Sequence, residues 1–167
     1  SAGAAHPGHQ GVLMLFLGDG SSFATGALAY QYRPLTEGAS DVRVILQVLL
    51  DGLPATCVLD TGAPYVILAP YLAPHLGIDP ANALGQARVL HRGISYHGGL
   101  HRLALGFPAG QGESLTVEAT AFVPEQNAAE AWGDLPSFLG MAGCLERLRF
   151  ALDPGSDAFY FGPLGED

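Results

Sequence analysis

Between Asp41 and Asp60 the chain reads DVRVILQVLLDGLPATCVLD, with apolar and polar residues alternating on both sides of Asp51-Gly52. A period of two belongs to a strand with one buried face, and Asp-Gly between two such runs suits the left-handed backbone of a tight hairpin turn. The pattern predicts a β-hairpin whose second strand ends on Asp60. YVILAP, residues 65–70, predicts a third strand. Residues 70–87 carry Pro70, Pro74, Gly77, Pro80 and Gly85, which leaves room for a helical turn or two at most. ARVLHRGISYHGGLHRLALGF, residues 87–107, reads as a second, longer hairpin whose Gly-flanked tip, Gly93 to Gly99, is expected to be mobile. SLTVEATAFVPE places Leu115, Val117, Ala119 and Ala121 on one face of a further strand, and residues 126–137 form an Ala-, Gly- and Pro-rich connection. In SFLGMAGCLERLRF the spacing of Met141, Leu145 and Leu148 predicts one short helix, despite Gly143. RFALDPGSDAFYFG closes the chain as a hairpin turning over Pro154 to Asp157.

The pattern is thus mainly β with one short C-terminal helix, and it carries no internal repeat. Residues 1–11, SAGAAHPGHQG, read as a flexible arm, and residues 12–167 as the domain. Composition adds bounds to this picture. With 167 residues, 49% of them apolar and 14% charged, the chain reads as one globular domain, long enough to close a single core. Its formal net charge of −9 disfavours nucleic acid and anionic membranes as partners, since both would be repelled. VLMLFLG, residues 12–18, is too short to span a bilayer and has no basic segment before it, so the cytoplasm is the expected compartment. Cys57 and Cys144 sit among apolar neighbours at no metal-knuckle spacing, which reads as two buried thiols, with a disulfide as the alternative if the chain is exported.

The chemistry gathers where the first hairpin ends. CVLDTGAPYVIL delivers Asp60 from an apolar strand into Thr61-Gly62, where glycine permits unusual backbone angles and close approach. Such a turn can present a carboxylate at the floor of a cleft, with the Thr61 hydroxyl bracing it. Asp and Gly are also common in ordinary strand-to-loop turns.

Val58-Leu59-Asp60-Thr61-Gly62-Ala63, followed by a hairpin over 88–103 and by Phe138-Leu139-Gly140, resembles the retropepsin-like aspartic protease family, which includes the retroviral enzymes and their bacterial and eukaryotic relatives. The order and spacing match over residues 43–162. The resemblance implies a retropepsin-like closed β-barrel, half of an acid protease, active as a two-fold homodimer. Aspartic-protease chemistry uses two facing carboxylates that share a proton and activate one water. With a single Asp-Thr-Gly in the chain, the second must come from another copy. By the same resemblance Asp60 is general base in one subunit and general acid in the other, Thr61 locks the two loops together, and Gly62 brings backbone groups to the carboxylates. Ala63, Leu139, Gly140 and the flap residues Gly93, Ile94, Ser95, Tyr96 and His97 would hold an extended polypeptide substrate. No metal or organic cofactor is implied. The apolar terminal run Phe159, Tyr160 and Phe161 is expected on an edge that a partner copy covers.

Two other readings remain. Alternation would bring His91, His97 and His101 to one face of the second hairpin, a zinc-like set, although Gly98-Gly99 interrupts that register, so solvated or cleft-lining histidines are expected instead. The domain could also be a non-catalytic dimeric module that holds extended peptides in the same groove.

Overall fold

The computed structural model describes residues 14–165. The expected arm, residues 1–11, lies outside the described residues. Twelve strands are formed: β1 (Gly26–Ala29), β2 (Gln31–Pro34), β3 (Val42–Leu50), β4 (Leu53–Leu59), β5 (Val66–Ile67), β6 (Gly85–His91), β7 (Ile94–Phe107), β8 (Gln111–Gly112), β9 (Leu115–Pro124), β10 (Ser137–Leu139), β11 (Leu148–Asp153) and β12 (Ala158–Pro163). A single α-helical turn, α1 (Ala129–Trp132), and four 3-10 turns are the other regular elements among the described residues.

The expected turns form where their residues demand them. Asp51 and Gly52 both take positive φ, 47° and 82°, which is the backbone a two-residue hairpin turn needs to follow the twist of its strands. The Asp51 carboxylate then accepts from the Ala104 amide, tying this hairpin to β7. At the other end, Asp153 accepts from the Gly155 amide and the Ser156 hydroxyl and closes the β11–β12 turn. Between β5 and β6 there are only two short 3-10 turns, Pro70–Leu72 and Pro80–Asn82, as proline and glycine there require.

Two sheets result. One has the order β11-β12-β1-β8, the other β2-β3-β4-β10-β5-β9-β7-β6. An additional pairing of β3 with β7, Leu49 with Gly106 and Leu50 with Leu105, brings the second sheet back on itself. Its middle strands are buried on both faces. Cys57, Val66, Ala121 and Leu139 enter a large core with Leu46, Leu105, Phe107, Phe159 and Phe161. Their neighbours Val58, Ile67, Phe122 and Phe138 enter a smaller one with Ala63, Val89, Tyr96 and Trp132.

Three expectations are corrected. The helix predicted within Ser137–Phe150 is instead strand β10, a glycine-punctuated turn and the 3-10 turn Leu145–Arg147, and the one α-helical turn falls earlier, in the expected connection. Gly140 and Gly143 make nonlocal hydrogen bonds there, Gly140 N–H to Tyr65 and the Gly143 carbonyl from Thr120, which a helix would forbid. The second hairpin turns over Arg92-Gly93 alone, φ 52° and 78°, so Gly98 and Gly99 lie within β7 and not at a loose tip. Phe159, Tyr160 and Phe161 are not on an edge: β12 is paired on both sides, by β11 and β1, and Phe159 and Phe161 are fully buried within one copy of the chain.

Candidate active site

Asp60 leaves the end of β4 beside β10, which runs parallel to β4 with Phe138 opposite Val58 and Leu139 opposite Leu59. Beyond these strands the two segments stay laced together by four backbone hydrogen bonds. Asp60 N–H donates to Leu139, Gly140 N–H to Tyr65, Met141 N–H to Ala63 and Tyr65 N–H to Ala142, at 2.7–2.9 Å. Gly140 makes this approach possible, because a Cβ there would lie 2.6 Å from the carbonyl carbon and oxygen of Pro64 and closer still to the Ala63 oxygen. Gly140→Ala is expected to cost about 1–3 kcal/mol through overpacking against backbone that cannot yield. A shift of the urea midpoint at unchanged slope measures it, and an unshifted midpoint refutes the close fit.

Within the loop the Asp60 carboxylate accepts the Gly62 amide at 3.1 Å, and the Asp60 carbonyl accepts the Ala63 amide. The side chain is half-buried and takes part in neither of the two ion pairs found among the described residues, Arg43–Asp41 and Arg102–Glu118. Thr61 and Gly62 are exposed, while Ala63 turns into the smaller core. A carboxylate so placed keeps oxygens free for a water, a substrate or a second carboxylate.

The other expected site residues divide. Leu139 is fully buried and points into the large core, so its contribution to the site is its carbonyl, which receives the Asp60 amide. The side chain on the same side as Ala63 is that of its neighbour Phe138. Gly93, Ile94, Ser95 and His97 are exposed on the second hairpin, but Tyr96 is 4% exposed and packed edge-on to Trp132, ring centroids 5.6 Å apart. Trp132 also meets Phe138 edge-on at 5.9 Å and donates from its indole to the Leu135 carbonyl. Trp132 and Phe138 are thus site-side residues that the sequence pattern did not single out as lining. The one available signal for Trp132 was a large aromatic residue inside an otherwise small and polar connection.

The histidines do not converge. His91 is buried against Trp132 and Phe138, His97 is exposed, and His101 lines a separate cleft of about 620 Å³ with Ile78, Gln86, Val123 and Glu125. Among the described residues, no group of three or more His, Cys, Asp or Glu is gathered as a metal would need. Burial holds the His91 imidazole below its ordinary pKa, opposed by the Asp60 carboxylate and reinforced by Arg92 and Arg43. Cys57 and Cys144 are free, buried thiols, and burial pushes the Cys144 thiol up to about 12 and Cys57 higher still. No described helix is long and apolar enough to cross a membrane.

No protein-family model matches the chain, and no curated protein matches it. Among solved structures, the chain is similar to a retropepsin-like aspartic protease from Rickettsia conorii, with a TM-score of 0.52 and 21% sequence identity over 83% of this chain and 94% of that one. The likeness gives the fold: a mainly β, retropepsin-like domain.

Proposed function

We propose that this chain is one half of an aspartic endopeptidase, completed by a second copy across a two-fold axis. What carries the reading is Asp60, a half-buried carboxylate free of ion pairs, on a loop laced to β10 within a retropepsin-like fold. Two such carboxylates brought together share one proton, because like charges that close resist ionising together. The ionised one takes a proton from the attacking water while the protonated one gives its proton to the scissile carbonyl oxygen. As the tetrahedral intermediate collapses and the C–N bond breaks, the first passes the water's proton to the departing amine and the second recovers its own. The exposed Thr61 hydroxyl makes no hydrogen bond within the described chain and is free to reach the opposite loop. The β6–β7 hairpin, with Gly93, Ile94, Ser95 and His97 on its exposed surface, would close over an extended peptide and exclude water. The returning strand order of the second sheet suits a closed barrel as the rigid base of each half. No cofactor enters this chemistry.

The test is a peptide-library cleavage assay run beside titration with a statine-type inhibitor, which mimics the tetrahedral intermediate, and beside sedimentation of the full chain. Cleavage, inhibitor binding and a dimer are expected. Peptide binding without cleavage would replace this reading with the peptide-holding module.

A further inference from the structure

The β6–β7 hairpin is weakly held where it matters. From Val89 to His97 its strands pair only with each other, since the pairing of β7 with β9 begins at Gly98 opposite Pro124. The last backbone tie is the Glu125 amide donating to the His97 carbonyl. Beyond it, the hairpin rests on the body through side chains alone. Val89, His91 and Tyr96 point down into the smaller core, while Leu90 on the opposite side is 72% exposed. His91 is stacked on Trp132 with centroids 5.5 Å apart and an interplanar angle of 22°, and meets Phe138 edge-on at 4.3 Å. Its Nε2 is buried with no hydrogen-bond partner among the described residues. Trp132 sits on α1 and Phe138 on β10, next to the Asp60 loop.

We propose that His91, Trp132 and Phe138 form a latch that holds the hairpin shut over the face beside Asp60, and that protonation of His91 releases it. A neutral imidazole fits between rings with one nitrogen unpaired at modest cost. An imidazolium must donate from both nitrogens, and among the described residues Nε2 has nothing to donate to. The face of Trp132 attracts the cation, but that attraction is smaller than the hydration a buried, half-unpaired charge forgoes. The charged groups acting on the ring are Asp60 from the site loop, which favours protonation, and Arg92 in the turn and Arg43 on β3, which oppose it. Glu130 and Asp134 flank Trp132 in sequence and are exposed, and Tyr96 in the partner strand stays neutral through this range because burial raises its phenol further.

The sign follows from proton counting. His91 in the shut hairpin titrates below the ordinary 6.5, so between the two values the released hairpin binds more protons. The shut form is fully favoured above about pH 6.5 and loses up to about tenfold in population per pH unit below it. Acid thus uncovers the face on which the proposed enzyme would receive peptide, a consequence that rests on the aspartic-protease reading. The latch itself does not.

Trp132 is the single tryptophan of the chain, so its fluorescence reports the latch directly. Acrylamide quenching of the full chain, followed from pH 8 to pH 4.5 with far-ultraviolet circular dichroism in parallel, should rise several-fold with a midpoint below 6.5 while the β signal stays constant. His91→Phe and His91→Gln cannot titrate and should each abolish the transition. Asp60→Asn should move it to more acidic pH, because it removes the charge that supports the imidazolium. Quenching that stays flat in the wild-type protein, that persists unchanged in both His91 variants, or that merely tracks loss of β signal overturns the latch. If the transition appears but no peptide is cleaved at any pH, the latch stands and the protease reading falls.

Discussion

Asp60→Asn is expected to abolish peptide hydrolysis and leave the fold intact. Asparagine keeps the shape of the side chain and retains a carbonyl oxygen to accept the Gly62 amide. Among the described residues Asp60 has no ion pair to lose, and it is half-exposed, so the substitution leaves no fully buried group unsatisfied. What disappears is a group that can take a proton from water, a contribution of about 10²–10⁴ in rate. In a homodimer the substitution falls on both carboxylates at once, which places the loss at the upper end of that range. Measured kcat/KM beside a melting curve separates the two effects. Turnover within tenfold of wild type would remove Asp60 from the mechanism, and a collapsed melting temperature would give it a structural role instead.

Phe161→Ala is expected to be a severely damaging core truncation near the chain end. The ring is fully buried, lies 5.5 Å from Phe107 and 6.3 Å from Phe159 by centroid, and crowds against Gly26 on the paired strand β1. Removing it takes away transfer energy and leaves a cavity walled by other rings, about 3–5 kcal/mol for a phenylalanine. Against a total of about 5–15 kcal/mol for a domain, that leaves a marginal protein. The urea midpoint reads the loss, and because all these contacts lie within one copy, the loss should be independent of protein concentration. A cost that grows on dilution would return Phe161 to an interface between copies.

How much of this was legible depends on how local the deciding forces are. The Asp51-Gly52 turn, the alternating strand at 115–124 and the closing hairpin were readable because two or four residues settle each of them. Strands β1 and β2 were not read: Gly26–Ala29 is short and built of small residues, and its place is decided by Phe159 and Phe161 far along the chain. The stretch after Phe138 misled in the opposite way. Met141, Leu145 and Leu148 do fall at helical spacing, but the backbone groups between them are taken by Ala63, Tyr65 and Thr120, and Glu146 accepts the Gly143 amide. Near the Asp60 loop, the end of β4 at Asp60 was legible from its motif, whereas it is the Phe138 side chain, not that of Leu139, that shares a core with Ala63. Both are buried, so alternation, which distinguishes core from solvent, has nothing to say about which of two interiors a side chain enters.

That division of the interior bears on how substitutions combine. In β10, Leu139 belongs to one core and Phe138 to the other, and the same parting runs through Val58 beside Cys57 and through Phe122 beside Ala121. A substitution at Phe138, Val89 or Tyr96 is screened by a layer of backbone from the rings of Phe107, Phe159 and Phe161. Changes on the two sides that share no partner combine additively in their effect on stability. Substitutions in the wall beside Asp60 can therefore be combined one after another without a growing penalty from the larger core, one storey of the building changing while the other goes on holding it up.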